Sequence, residues 1–214
     1  MAANGWTWLV DEPEGWLLVP TTDALPSELL ATWEREITEV IRASFDDAPE
    51  EQADDETGEA LNALRERVAV ASVANLRAFA DGVIDAGAVV AATFRVPDSA
   101  PVPVLVTVGI EPPDDPGDHL MTALGATGGH SVAPPKIEHV DLPDGDGMRV
   151  TRLDLDPETG GAWVSVCLGR RTEHPDAVVD TVLQWRSQDL LQGPAMTELL
   201  DELLPAVSIT RSAP

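Results

Sequence analysis

At 214 residues the chain is long enough to bury a core of its own. It carries 38 acidic against 13 basic side chains, a formal net charge of -25, and only one of those cations, Lys136, is a lysine. Such a surface repels nucleic-acid and lipid phosphates, so the expected partner is neither a nucleic acid nor a membrane interior.

The apolar residues are mostly Ala, Val and Leu, and Arg stands in for Lys. A GC-rich genome encodes such a mix, and an actinobacterial source is the expectation it sets. Salt adaptation is the competing origin of the acidity. One cysteine, Cys167, allows no intramolecular disulfide, and the opening MAANGWTWLVDEPEGW has no basic or long apolar stretch of a signal peptide. Both favour the cytoplasm as the working compartment.

Along the chain, 6–10 and 16–19 are short apolar strands, and the linking DEPEG predicts a hairpin between them. From 26 to 45 the period changes: Leu29, Leu30, Trp33, Ile37, Val40 and Ile41 recur at helical spacing. Residues 46–59 hold eight acids and no large apolar side chain, which predicts a solvated loop. A second helix follows, ending near Asp85, with Gly82 or Gly87 as its stop. Strands are expected over 88–96 and 104–110, then a short helix over 119–126. Strands 137–142 and 148–155 flank PDGDG, a hairpin-turn signal. Two more strands, 163–169 and 178–185, precede a closing helix over 195–204. Strands in runs, with few βαβ alternations, predict an α+β fold: a twisted, largely antiparallel sheet with helices packed on it. One domain spans 1–214, with a helical-hairpin insertion at about 26–86.

The histidines His119, His130, His139 and His174 show no metal-ligand spacing, and no metal or cofactor is expected. Cys167, between Val166 and Leu168, reads as a buried thiol rather than a nucleophile. GATGGH at 125–130 lacks the strand and helix context of a phosphate loop, and the acids Asp144 and Asp146 miss the calcium-loop register. Six tryptophans occur with no tyrosine. Trp8, Trp16 and Trp33 are expected in a shared core. Trp163 and Trp185, on neighbouring strands, are expected on one sheet face, where with Arg186 and Arg170 they would line an aromatic groove for a peptide or small ligand. The candidate partner-binding residues are therefore Asp46, Asp47, Glu50, Glu51, Asp54, Asp55 and Glu56 of the acidic run, together with Trp163, Trp185 and Arg186.

The segment PEGW at 13–16 followed by Leu-Leu-Val-Pro, the paired strands around 148–168, and the closing LLPAVSIT resemble the Mog1/PsbP-like superfamily. The resemblance covers 1–20 and 88–210, with the helix pair as an insertion. It implies an α/β/α-type sandwich and a non-catalytic role in binding or assembly. Without catalytic residues, the expected function is that of an acidic accessory protein, chaperone-like or immunity-type, whose protein partner is basic by charge complementarity. The alternatives are an enzyme with a spatially assembled acid/base site, starting from His130 and His139, and a structural subunit of a larger assembly.

Overall fold

The computed structural model describes residues 2–3, 5–45, 55–96, 100–113, 118–128, 131–143, 145–156 and 158–211. Its strands are β1 (Ala2–Ala3), β2 (Trp6–Val10), β3 (Trp16–Val19), β4 (Val89–Thr93), β5 (Val102–Glu111), β6 (Lys136–Leu142), β7 (Gly145–Leu155), β8 (Ala162–His174), β9 (Ala177–Ser187) and β10 (Val207–Arg211). Its helices are α1 (Ser27–Ser44), α2 (Asp55–Val83), α3 (His119–Ala123) and α4 (Gly193–Leu203). Seven strands form one antiparallel sheet in the order β3-β4-β5-β9-β8-β7-β6, and a three-stranded sheet holds β1-β2-β10. The fold is α+β, as the runs of strands predict.

Antiparallel pairing assigns each side chain to a face. One face of the large sheet carries Val104, Val106, Leu183, Trp185, Val166 and Leu168, and α4 covers it with Met196, Leu199, Leu200 and Leu203. The small sheet shares this side, sending Trp8, Val10 and Val207 into the same core. The opposite face is covered by connections instead. The α1–α2 pair, inserted between β3 and β4, packs Leu76 and Ala80 on Leu17, Val19, Val90 and Ala92. The chain between β5 and β6 crosses to the far edge of the sheet and lays α3 over Val150, Cys167 and Val182.

Two expectations fail. β2 and β3 form no hairpin: β2 pairs with β1 and β10, whereas β3 pairs with β4. The DEPEG link steps the chain between layers, tied by Asp11 N–H to the Ala206 carbonyl at 2.9 Å and closed by a turn from Trp16 N–H to Pro13 O. The partner strand β10 lies about two hundred residues away in sequence, and its own alternation, Val207-Ser208-Ile209-Thr210, does not say which strand it joins. Second, Trp8 and Trp16 share a core, but Trp33 packs between α1, α2 and the β3–β4 edge.

The loop expected over 46–59 does not extend to Glu59, because α2 begins at Asp55; residues 46–54 lie outside the described residues. Acids in a first turn are favoured by the helix dipole. At the other end of α2 a single 3-10 turn, Ile84–Ala86, runs into Gly87 at φ 73°, the left-handed conformation that ends a helix at little cost for glycine.

Arg77 ties α2 to α1 and to the connection that follows β3. It is 8% exposed, pairs with Glu34 of α1, and donates to Thr22 Oγ1 at 2.7 Å. Asp81 accepts both the Thr22 N–H at 2.7 Å and its hydroxyl at 2.6 Å. Those two bonds, the hydroxyl's first, hold the Asp81 carboxyl below its ordinary range. Replacing Arg77 with Ala is expected to cost about 1–2 kcal/mol, since its acidic partners are half-exposed and stay hydrated. Urea unfolding should show a lower midpoint at unchanged slope. A lowered carboxyl pKa adds stability above the unfolded value and loses it as pH falls through the folded one. The stability gap between wild type and Asp81→Asn should therefore close on acidification, as followed by thermal melts across the acid range.

Candidate functional site

Because α2 and α3 belong to separate connections, they do not meet over the sheet. Between them lies an open groove of about 410 Å³. Its floor is a cross-strand row, Leu105 beside Gln184 beside Cys167, and its walls include Phe79 of α2 and Leu124 at the end of α3.

Short as it is, α3 is held firmly from both ends. Asp118 caps it, its carboxylate accepting the Met121 N–H at 3.2 Å. At its C-terminus Gly125, at φ 72°, donates to Thr122 O, and Ala126 donates to Met121 O, the two bonds of a Schellman motif. Sheet side chains then bind the carbonyls: Gln184 Nε2 donates to Ala123 O at 2.6 Å, and Arg152 donates to Gly125 O at 2.6 Å and Gly128 O at 2.9 Å. Close approach needs Gly169, where an added Cβ would lie 2.9 Å from both Leu120 Cδ1 and the Thr181 carbonyl.

The polar groups of the groove sit at its β7–β9 side. Arg152 bridges Asp154 at 2.8 Å. Arg186 stacks on the Trp163 ring, its guanidinium carbon 4.6 Å from the ring centroid. Ser165 is buried between Arg152 and Arg186 in the register. Burial pushes the Cys167 thiol up to about 11, so it stays protonated at neutral pH and is no thiolate nucleophile.

Of the residues singled out in the sequence, Arg186 lines this groove and lies over the Trp163 ring, though Trp163 is not itself part of the lining. Trp185 borders the groove without turning its ring into it. It pairs with Val166, on the opposite face from Trp163, and is buried against α4. Alternation along a strand decides this: odd positions of β9 share a face with even positions of β8, so two odd tryptophans part company. Arg170 lies on that other face too and donates to Val207 O at 2.6 Å. Asp46, Asp47, Glu50, Glu51 and Asp54 lie outside the described residues, as do the side chains of Asp55 and Glu56. His130 and Asp144 also lie outside them, while His139 is exposed on the edge strand β6, away from the groove. Among the described residues no cluster of three or more His, Cys, Asp or Glu could hold a metal ion, and no helix is long and apolar enough to cross a membrane. Phe79, Arg152, Ser165 and Gln184 were not singled out in the sequence. Only the β7–β8–β9 register brings the last three together.

No family model matches the chain, and no curated protein matches it. Among solved structures it is similar to LpqN, a Mycobacterium tuberculosis protein described as involved in cell envelope biogenesis. The alignment has 11% identity and a TM-score of 0.46, and covers 97% of this chain and 86% of that one. Similarity of that degree leaves the function to be argued from the site.

Two outcomes follow from the geometry. Gly169→Ala should push α3 off the sheet and destabilise the fold by about 1–3 kcal/mol, read as a lower melting temperature. A thiol raised from 9.0 to about 11 leaves stability intact below pH 9 and removes it as pH climbs through 11. Wild type should therefore lose stability across that window, by about 3 kcal/mol, and Cys167→Ala should lose less, in denaturant titrations at stepped alkaline pH.

Proposed function

We propose that the chain is a non-enzymatic accessory protein that holds a protein partner against the open face of its large sheet. The observation that supports this best is the groove itself, an opening between two helical elements lined in part by Arg186, whose guanidinium lies over the Trp163 ring. An aromatic ring bearing a cation is a common anchor of protein interfaces. The reading agrees with the binding or assembly role that the Mog1/PsbP-like resemblance implies. Charge complementarity favours a basic partner, steered by the acidic surface and held at the face. On the same reading the protein works in the cytoplasm, where Cys167 remains a thiol.

Affinity capture of the tagged chain from its native host, at low and high salt, tests the proposal. One abundant basic protein should co-purify at low salt and fall away at high salt. Its capture should drop in a Trp163→Ala/Arg186→Ala variant, and separately when Asp46, Asp47, Glu50, Glu51 and Asp54 become Ser or Asn. A preparation with nothing bound, or capture indifferent to both variants, would overturn it.

A further inference from the structure

Helix α2 is 29 residues long, and α1 and the sheet cover one side of it, marked by the buried Ala69, Val73, Leu76 and Ala80. Turned away from that side is a second row: Leu64, Val68, Ala71, Asn75, Ala78 and Gly82, at alternating steps of four and three residues. Every member is exposed, Leu64 by 47% and Val68 by 38%. A repeat averaging about 3.5 residues is the seam that one helix presents to another. Large side chains occupy its first half and small ones its second. Gly82 is the telling member. Gly87, at φ 73°, stops the helix, whereas Gly82 lies inside it without a left-handed φ. A Cβ added at Gly82 would meet no described atom within 4 Å. Glycine weakens a helix relative to alanine, and inside one it suits the close approach of another backbone.

The flanks of the row are just as uneven. Arg65 and then Phe79 lie along one flank, Arg67 and then Asp81 along the other, while the acids Glu59 and Glu66 sit on the far side of the helix. No acid stands three or four positions from Arg67 on α2, and among the described residues no carboxylate bridges it. A second copy of α2, running antiparallel, answers each of these features. With a two-fold axis level with residue 73, Leu64 meets Gly82 of the second copy, Val68 meets Ala78 and Ala71 meets Asn75, so large faces small. One flank then brings Arg67 to Asp81 of the second copy, an ion pair, and the other brings Arg65 to Phe79 of the second copy, a cation–π contact. The two Asn75 side chains come about 6 Å apart along the axis, and a polar residue in a seam fixes its register. A parallel copy would instead set leucine on leucine and leave Gly82 facing Gly82.

We propose that the outward face of α2 is an interface between two copies of this chain, joined antiparallel about a two-fold axis, with Leu64 of each seated over Gly82 of the other. The contact runs about 27 Å along the helix. It lies outside the groove, with which it shares only Phe79, and stands independently of the accessory reading. Two chains at -25 repel one another, so the apolar seam holds the pair, and salt tightens it by screening that repulsion.

Sedimentation equilibrium of the full chain tests it. The mean mass should rise with concentration from 22.8 kDa towards twice that, and rise further at higher salt. Gly82→Leu fills the place that Leu64 of the second copy takes, and should weaken the dimer about tenfold or more. Its side chain starts in open space in the monomer, so helix content and melting temperature at high dilution should hold. Leu64→Ser and Arg67→Glu should weaken the dimer as well. Spin labels in a Cys167→Ala background give the orientation. A label at Ala74, beside the axis, should report a distance under about 20 Å, and one at Ala63 about 30 Å or more. A chain monomeric at every concentration and salt, a dimer that Gly82→Leu leaves unchanged, one that salt dissolves, or equal distances at both labels would overturn the proposal. A monomeric chain that still captures a basic protein refutes the dimer and leaves the accessory reading standing; a dimer that captures nothing does the reverse.

Discussion

Everything in this molecule follows from a sheet that is apolar on both faces. β9 shows it most plainly: Val179, Thr181, Leu183 and Trp185 are buried on one side, and Asp180 and Val182 on the other. A strand of that kind must be covered twice. On one side α4 and the small sheet do so in a continuous layer. On the other, the cover comes from two unrelated connections, the α1–α2 insertion and the crossover carrying α3, and the groove is what they leave open.

Cations are scarce in this chain, and most of those in the described structure join separate elements. Arg149 pairs with Asp201 and Arg95 with Glu202, both fastening α4 to the sheet side. Arg171 makes a two-pronged contact with the buried Asp180, linking β8 to β9. Arg170 reaches β10, and Arg152 fixes the loop after α3. Exposed pairs contribute little stability each, but a planar guanidinium set between elements fixes their relative position. This explains why arginine serves here in place of lysine in structural terms, whatever the genomic cause. Arg186 lies over the Trp163 ring and acts electrostatically on Asp156.

Much of the fold was legible residue by residue. Period-3.6 spacing of Leu30, Trp33, Ile37 and Ile41 defined α1, and PDGDG between alternating flanks defined the β6–β7 hairpin. The candidate site was legible only in part. Trp163 and Arg186 stood out as an aromatic and a cation on strands, but their association with Trp185 failed, since a face depends on the pairing register and not on strand membership. Arg152, Ser165 and Gln184 gave no local signal: each is an ordinary polar residue in an alternating strand until β7, β8 and β9 are set side by side.

Local chemistry in the sequence by itself determined the helices, most of the strands, the acidic surface and the buried thiol, because periodicity, turn residues and charge act over a few neighbours. Only the tertiary structure decided that β2 abandons β3 for β10, that Trp185 and Trp163 face opposite ways, and that two connections stop short of each other over the sheet. Those outcomes depend on contacts between residues far apart in the chain, where pairing register and the need to cover both apolar faces outweigh any local preference.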